Sequence, residues 1–449
     1  MKKILLILIC VPLLGWGQWV QVGQDIIGQD DGNSAGASRT ISINGNGNII
    51  VVGEPHDDFD NQGLVRVFEC INNTWTQIGQ DILGEFPSDM FSITAINKNG
   101  NIIATAAGGN DGNGNNAGHV RVYEYINNDW IQLGQDIDGE NSYDGASIID
   151  INDDGNIIAI GATGNDGNGS EAGHVRIFEY NGTDWNQIGQ DIDGVNPDDW
   201  CGHSLSLNSS GNIIGIASPM FDSISSNGNE NSGHIRVFEY NGTDWSQIGN
   251  DIIGGYSVDL NNFGNRVLIG DPFNSDNGFY SGRIRVFEYS GTDWNQKGQD
   301  INGIDVIDNY GEFVSISGGG DTIAASSYAH DSDKGHVRAF YFDGNVWSQI
   351  GQDIDGVNNN DRSGTSIAMN NSGSRIAIGA PNFDGNGIGS HTGHIRIFQF
   401  GASTLIENII NKNHYTIYDL LGRETDEKRN TPLFYIYNAG TVEKKMIIE

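Results

Sequence analysis

The sequence predicts an all-β protein whose repeats close into a seven-bladed β-propeller, and three observations support this fold. A tryptophan followed by a Gln-x-Gly-x-Asp pattern recurs seven times, at intervals of about 55 residues. A segment of the type Gly-His-Val-Arg-Val-Phe-Glu-Tyr also occurs in seven copies. The array begins with a tryptophan segment and ends with a Gly-His-Val-Arg-type segment. Joining these two ends completes a seventh blade of the same design as the six contiguous ones. Such closure removes the free sheet edges that an open array would expose.

Each repeat contains four short segments with strand patterns, separated by turn signals. In the third repeat these segments are Ala146–Asn152, Ile157–Ala162, His174–Tyr180 and Trp185–Ile192. The turns between them are rich in Asn, Asp and Gly, which is typical of antiparallel strands. A β-solenoid is the rival architecture, but its coils are usually shorter and parallel. Four antiparallel strands in each repeat favour the propeller.

The spacing inside the repeats separates a constant part from a variable part. The glycine that opens the third strand precedes the tryptophan of the fourth strand by 12 residues in all six contiguous copies. The interval from each tryptophan to the next such glycine varies from 37 to 48 residues. In a propeller the long variable connections lie on one rim, which we call the long-loop rim. Because binding residues concentrate on variable loops of a rigid scaffold, we expect the functional site on this rim.

Two charged positions and one aromatic position recur in every repeat. The arginines are Arg66, Arg121, Arg176, Arg236, Arg285, Arg338 and Arg396. The aspartates are Asp25, Asp81, Asp136, Asp191, Asp251, Asp300 and Asp353. A simple hairpin register pairs Tyr180 with Trp185 and His174 with Asp191, which places Arg176 close to that aspartate. Because catalytic groups are rarely made in seven copies, we interpret these charges as structural ion pairs and the tryptophans as packing between sheets.

The residues that break the repeat are the candidates for function. Trp200 lies in a long-loop segment that aligns with 357–366, and it is additional to the seven framework tryptophans. An exposed tryptophan beside carboxylates suits stacking on a sugar ring, and the alternative is that it plugs the channel mouth. Asp198, Asp199 and His203 surround it and are the one grouping that we nominate as the acid and base of an enzyme.

Some loops contain the oxygen-bearing side chains that calcium prefers. Asp111, Asp166 and Asp384 each lie in a loop that alternates such residues with glycine, and the first repeat has a denser cluster of three aspartates. That cluster is Asp57, Asp58 and Asp60. Calcium takes six to eight oxygens, usually from several carboxylates, and each of the first three loops supplies one. We favour ordinary turns and expect no cofactor, with calcium as the alternative. No His/Cys constellation suggests zinc.

The composition and the N-terminus restrict the partners and the location. Lys2 and Lys3 precede the apolar run Ile4–Leu14, and two small residues follow, so residues 1–17 are expected to be a secretory signal peptide. No later stretch is long and apolar enough for a transmembrane helix. With 23 Lys+Arg against 58 Asp+Glu, the chain has a formal net charge of −35. Such a charge repels phosphate backbones, so nucleic-acid binding is excluded.

The repeats also resemble those of a known family. Second strands ending Gly53-Glu54-Pro55, Gly270-Asp271-Pro272 and Gly379-Ala380-Pro381 are each followed by a loop and a Gly-x-Val/Ile-Arg-Val/Ile-Phe strand. These features, over about residues 18–400, resemble the FG-GAP repeats of integrin α-subunit propellers. The resemblance implies an extracellular propeller that binds partners instead of turning over a substrate. The phenylalanine of the FG pair is missing here, and the family's Asp-rich calcium loop is replaced by stretches such as Asn97–Asn101.

The tail, residues 401–449, resembles a second family. Its segments Tyr415–Glu424, Pro432–Tyr437 and Glu443–Glu449 are similar to the C-terminal sorting domain of type IX secretion, a system of Bacteroidota. The resemblance implies passage across the outer membrane, with the secretion machinery as a partner, followed by surface attachment or release. A small independent β-domain is the alternative.

Together these features predict three parts, namely a signal peptide over 1–17, the propeller over 18–400 and a sorting domain over 401–449. We expect a non-catalytic binding or adhesion propeller that takes an extracellular glycan or a surface protein. The alternatives are a polysaccharide-active enzyme, either a glycosidase or a lyase, and a structural surface-layer protein. Charged residues that occur in one blade only and point into the channel would favour the enzyme. Exposed aromatic residues in the absence of such charges would favour binding.

Overall fold

The computed structural model describes residues 17–30, 32–56, 61–221, 233–384 and 391–401, and three strands beyond them. The calcium candidates Asp57, Asp58 and Asp60 lie outside the described residues, as do residues 1–16 of the predicted signal peptide. The chain divides into two compact units, one of residues 21–399 and one of residues 1–20 with 400–449. In the described part, no helix is long and apolar enough to span a membrane.

The second unit contains a small antiparallel sheet near the C-terminus. Its three strands are Tyr415–Tyr418, Leu433–Tyr437 and Val442–Lys445, and the middle one pairs with both others. The first two strands lie within the tail segments Tyr415–Glu424 and Pro432–Tyr437, and the third overlaps Glu443–Glu449.

The propeller consists of seven antiparallel sheets, each with four strands in sequence and a short fifth strand that pairs with the third. The first strands are Ile41–Ile43, Ile93–Ile96, Ile148–Ile151, Ser204–Leu207, Ser257–Leu260, Val314–Ile316 and Ser366–Met369. The second strands are Ile49–Glu54, Ile102–Ala107, Ile157–Ala162, Ile213–Ser218, Arg266–Asp271, Thr322–Ser327 and Arg375–Ala380. The third strands are Leu64–Ile71, His119–Ile126, His174–Tyr180, His234–Tyr240, Arg283–Tyr289, His336–Phe342 and His394–Phe400.

The outer strands complete each blade. The fourth strands of blades one to six are Thr74–Gln77, Asp129–Gln132, Trp185–Gln187, Trp245–Gln247, Trp294–Gln296 and Trp347–Gln349. The short fifth strands are Ile82–Leu83, Ile137–Asp138, Ile192–Asp193, Ile252–Ile253, Ile301–Asn302 and Ile354–Asp355. The seventh blade takes Trp19–Gln21 and Ile26–Ile27 from the N-terminus as its fourth and fifth strands. The described helical content is one turn, His330–Asp333, in the loop that follows the sixth second strand.

The ring is closed between the two ends of the repeat array, as the sequence predicts. Ile26 pairs with Ile395, and Ile27 pairs with His394, in antiparallel register. The backbone N–H of Val22 also donates to the carbonyl of Ile397 at 2.8 Å. The all-β, seven-bladed propeller closed by the N-terminal strand is therefore confirmed.

The hydrophobic core lies between neighbouring blades instead of inside any single one. Second strands are buried along nearly their whole length because a sheet covers each of their faces, and Ile158 and Ile160 are examples. One core cluster joins Val122 of the second blade to Ile149 and Trp185 of the third. Each blade thus completes the core of the next, which explains why the repeat must close into a ring.

The seven first strands surround a central channel, and neighbouring first strands contact each other around the ring. A cavity of about 250 Å³ occupies the channel, and Arg39 and Glu312 line it at the long-loop rim. This channel and its mouth position the candidate site.

Candidate functional site

The repeated tryptophans join each blade to the preceding one. Trp185 Nε1 donates to the carbonyl of Leu133 at 2.8 Å. Gln135 holds the backbone of the same tryptophan, accepting from its N–H at 2.9 Å and donating to its carbonyl at 2.8 Å. The indole bond to the preceding blade recurs at Trp75, Trp130, Trp245, Trp294 and Trp347. This geometry supports the packing interpretation.

The predicted pairing of repeated arginines with repeated aspartates needs correction. Arg121 and Asp136 form such a pair at 3.0 Å, but among the described residues no ion pair joins the repeated Arg and Asp of the other blades. Instead the arginines donate to carbonyls of the preceding blade's fifth strand, as Arg176 does to Asp138 at 2.7 Å. Arg66, Arg236, Arg285, Arg338 and Arg396 do the same.

The repeated aspartates bind a glutamine and the first residue of the third strand. Asp191 accepts from Gln187 Nε2 at 2.6 Å and lies 3.8 Å from His174 Nδ1. The simple hairpin register fails because His174 pairs with Asp193, while Tyr180 does pair with Trp185. The N–H of Ile188 bonds to Ile177 and Ile192 pairs with Val175, so the three residues 189–191 lie opposite Arg176 alone. This bulge, which begins at Gly189 with a φ of +73°, accounts for the difference of two residues.

One repeat position at the channel mouth differs in nearly every blade. It lies three residues before the central residue of each first strand, at the long-loop rim. The seven residues, which we call the mouth ring, are Arg39, Ser92, Ser147, His203, Tyr256, Glu312 and Thr365. Four of them are titratable and all four differ in type. The framework positions repeat one residue around the ring, so this divergence indicates a position shaped for something other than the fold.

Side chains of the mouth ring approach one another. The rings of His203 and Tyr256 meet edge to face with centroids 4.4 Å apart. Burial, with a smaller contribution from the positive charge of Arg39, lowers the pKa of His203 to about 3. Burial also raises the pKa of Tyr256 and that of Glu312. At neutral pH His203 is therefore an uncharged imidazole, whose buried Nε2 has no hydrogen-bond partner among the described residues.

Arg39 is the cation of the mouth ring, and it has an unusual environment. Its backbone is left-handed, with a φ of +60°, and its side chain is half-buried beside the cavity. Burial lowers the pKa of its guanidinium, and the nearby Tyr256 and Glu312 oppose that shift. Within the described residues the guanidinium makes no hydrogen bond or ion pair. A half-buried, unpaired guanidinium facing a cavity is equipped to receive an anion.

Two further singular charges lie deeper in the channel. Asp150 and Asp259 occupy the central position of the third and fifth first strands, where the other blades carry Ser or Ala. Asp150 accepts the N–H of Leu207 at 2.7 Å, and Asp259 accepts the N–H of Ile316 at 2.7 Å. Burial raises their pKa values to about 7 and about 6, respectively. Each carboxyl thus links its own first strand to that of the next blade.

The structure separates the nominated acid and base residues. Asp199 is buried and accepts the backbone N–H groups of Val195 and Asn196 at 3.0 and 2.7 Å, so it holds its own loop. The equivalent aspartates of other blades, Asp89, Asp144, Asp308 and Asp361, do the same. Asp198 is exposed, and no described hydrogen bond or ion pair joins either carboxylate to His203. Of the three, His203 belongs to the mouth ring.

Trp200 is one end of an aromatic surface on the long-loop rim. Its indole N–H donates to Glu171 at 2.9 Å, and its ring stacks toward His203 with centroids 6.4 Å apart. From His203 the series continues through Tyr256, Phe273, Tyr280 and Phe279, with successive centroids 4.4, 5.5, 5.6 and 4.0 Å apart. Phe273 and Phe279 are 48% and 60% exposed. We call the six residues from Trp200 to Phe279 the aromatic band.

The loops considered for calcium use their oxygens for turn formation. Asp111 Oδ1 accepts the N–H of Asn116 at 2.7 Å, and Asp166 Oδ1 accepts that of Glu171 at 2.9 Å. Asp384 Oδ1 likewise accepts the N–H of His391 at 2.9 Å. A calcium ion would compete for these same oxygens, so the arrangement favours ordinary turns.

Among the residues that the structure describes, three groups of His and carboxylate side chains are close enough to share a metal ion. They are Asp308 with His330 and His336, Glu85 with His119 and Asp136, and Glu140 with His174 and Asp191. In the first group Asp308 accepts from His330 Nδ1 at 2.9 Å, and the two imidazoles stack with centroids 4.0 Å apart. The other two contain the repeated His–Asp contact. In those two groups the glutamate also pairs with the repeated arginine, Glu85 with Arg121 and Glu140 with Arg176.

Comparison with known proteins supports the fold alone. No family model matches the chain, and no curated protein matches it. Among solved structures, the hydrazine synthase of Kuenenia stuttgartiensis is similar, with a TM-score of 0.51 and 9% sequence identity. The match covers 76% of this chain and 92% of that chain. At this identity the likeness extends to the propeller architecture and not to its chemistry.

Sequence reasoning found part of this site. It located Trp200, His203 and the long-loop rim, but it missed Arg39, Tyr256 and Glu312. The signal was present in the repeat alignment, because one column at the start of the first strand has a different residue in almost every copy. A comparison that looks for identical residues in the repeats passes over such a column.

Proposed function

We propose that this protein is an exported, non-catalytic propeller that binds an extracellular glycan on its long-loop rim. The aromatic band is the observation that supports the proposal best. Flat aromatic faces stack on the apolar faces of sugar rings, and neighbouring polar groups then bind the hydroxyls. Glu171 at one end of the band and His203 and Glu312 at the channel mouth supply such groups. The export rests on the N-terminal apolar run and on the resemblance of residues 401–449 to a type IX sorting domain.

The band can be tested with the full chain on a panel of neutral and acidic polysaccharides, measuring retention and new chain ends together. We expect retention without new ends. Trp200→Ala and Phe279→Ala should each weaken retention by roughly five- to hundredfold, because a stacked sugar contributes on the order of 1–3 kcal/mol. Phe263→Ala is the matched control, since Phe263 is 70% exposed but lies in the short turn between first and second strands, on the opposite rim. Retention that survives both band variants would contradict the proposal.

A second candidate function is supported by the mouth ring. Arg39, His203, Tyr256 and Glu312 each occur in one blade at the mouth of a channel, and imidazole, phenol and carboxyl are the side-chain groups that transfer protons in enzymes. A polysaccharide lyase or glycosidase would place its reacting sugar there. New reducing or unsaturated ends that accumulate with time, and vanish in His203→Ala, would replace the binding function with this one.

A further inference from the structure

We propose that the channel mouth binds an isolated carboxylate of the glycan, such as that of a uronic acid, on the guanidinium of Arg39. This inference deepens the glycan-binding function proposed above and depends on it. It specifies the chemical class of sugar that lies nearest the channel.

The first support is the state of Arg39. Burying an arginine without a partner is costly, because the guanidinium loses water and gains no compensating hydrogen bond. The other arginines of the framework donate to carbonyls or carboxylates, as Arg236 does to the carbonyl of Asp193 at 2.6 Å. Arg39 faces the cavity of about 250 Å³ instead. A carboxylate there would form the paired hydrogen bonds that the planar guanidinium is shaped to donate.

The second support is the polar surroundings of that cation. His203 Nε2 is buried and has no partner in the described part of the chain, and the ring of His203 contacts that of Tyr256, the next member of the aromatic band. A sugar stacked on the band can therefore direct a substituent toward Arg39. Glu312 also lines the cavity, where its carboxyl hydrogen-bonds Tyr328, and a second lone pair of that carboxyl can accept from a sugar hydroxyl.

The net charge of the protein favours a glycan with an isolated carboxylate over a densely charged polyanion as the ligand. The chain has a formal net charge of −35. A heavily sulfated or fully uronic polymer would meet repulsion over the entire surface, screened only beyond about 8–10 Å at ordinary salt. A single carboxylate among neutral sugars avoids most of that repulsion and still reaches the guanidinium of Arg39.

The test measures binding of three matched oligosaccharide probes to the full chain by calorimetry. The probes carry one uronic acid, its methyl ester, or a sulfate ester on the equivalent neutral sugar. We expect the uronate to bind at least tenfold more tightly than the methyl ester. In Arg39→Gln this preference should fall to less than twofold, while the affinity for the ester stays within threefold of wild type. Arg39→Lys should restore part of the preference.

The controls separate this inference from the binding function on which it rests. Arg362→Gln removes an exposed arginine that pairs with Asp333 on the same rim, and it should leave the preference for the uronate unchanged. Equal binding of the acid and the ester, or a preference that persists in Arg39→Gln, overturns the Arg39 site while glycan binding stands. Tighter binding of the sulfate than of the uronate overturns the carboxylate assignment. If none of the probes binds, both the site and the glycan-binding function fall.

Discussion

His203 and Tyr256 belong to neighbouring blades, yet their rings meet edge to face at the channel mouth with centroids 4.4 Å apart. The contact joins the mouth ring to the aromatic band, so one continuous surface runs from the channel to the outer loops. Burial and the charge of Arg39 lower the pKa of His203 to about 3, far below its ordinary value near 6.5.

The first prediction concerns the protonation of His203. Because its folded pKa lies below its unfolded value, its neutral form stabilises the fold above about pH 6.5, and this contribution is lost as the pH falls toward 3. The imidazole resonances of His203 in an NMR titration should show no protonation between pH 8 and pH 5. Ligand affinity should not change with His203 protonation over the same range. A midpoint above pH 5.5 would contradict the buried position of the ring.

The second prediction concerns the close contact between a glycine and a framework tryptophan. Gly79 has a φ of +73°, and a Cβ placed there would lie 2.4 Å from Trp130 Cδ1. Gly79→Ala should lower the free energy of unfolding by roughly 2–4 kcal/mol, through backbone strain and overpacking together. Gly145→Ala is the matched control, since Gly145 has a φ of +62° and nothing within 4 Å of its added Cβ. Chemical denaturation should show about 1 kcal/mol for the control, and equal losses would disprove the contact.

The third prediction compares two aspartates at the same repeat position. Asp136 pairs with Arg121 at 3.0 Å, whereas Asp81 accepts from Gln77 and has Leu64 in place of the usual histidine. Asp136→Asn should therefore cost about 1 kcal/mol more than Asp81→Asn, a modest figure because the pair is partly exposed. Thermal and urea unfolding of the two variants provide the comparison. A larger cost at Asp81 would mean that the ion pair contributes nothing.

The fourth prediction concerns the pH dependence of stability through Asp150. Burial raises its folded pKa to about 7 from an ordinary 3.8. Between these values the folded protein holds a proton that the unfolded chain releases, so stability falls as the pH rises from 4 to 7 and is level above that. Asp150→Asn removes this effect. The unfolding free energy of wild type relative to the variant should drop by on the order of 2–4 kcal/mol across that range, and a constant difference would refute the raised pKa.

The fold was largely predictable from the sequence because the repeats carry it. The repeated residues of the Trp and Gln-x-Gly-x-Asp segment make the same contacts in successive blades. The period of this segment therefore indicated the number of blades and the closure of the ring. What the spacing did not reveal was the bulge at Gly189. The bulge puts extra residues between the fourth and fifth strands and none in the third strand that they face. The repeated Asp191 is therefore shifted, and it contacts Gln187 and His174 instead of Arg176.

The candidate site was predictable only in part, for a related physical reason. Trp200 stood out because it was extra to a repeated tryptophan, and His203 was named beside it. Arg39, Tyr256 and Glu312 stand at one repeat position but lie far apart in sequence, and each looks like an ordinary loop residue alone. Asp199 looked singular, yet the structure shows that it repeats a loop-holding role found in other blades. These residues lie together at the channel mouth only because the seven blades close into a ring.

The most direct test of the central claim is hydroxyl-radical footprinting of the full chain with and without a bound oligosaccharide. Glycan binding to the aromatic band should protect Trp200, Phe273 and Tyr280 on the long-loop rim, with Phe263 on the opposite rim oxidised equally in both states. Protection of Phe263 with no change at the aromatic band would place the binding surface on the other rim and contradict the account.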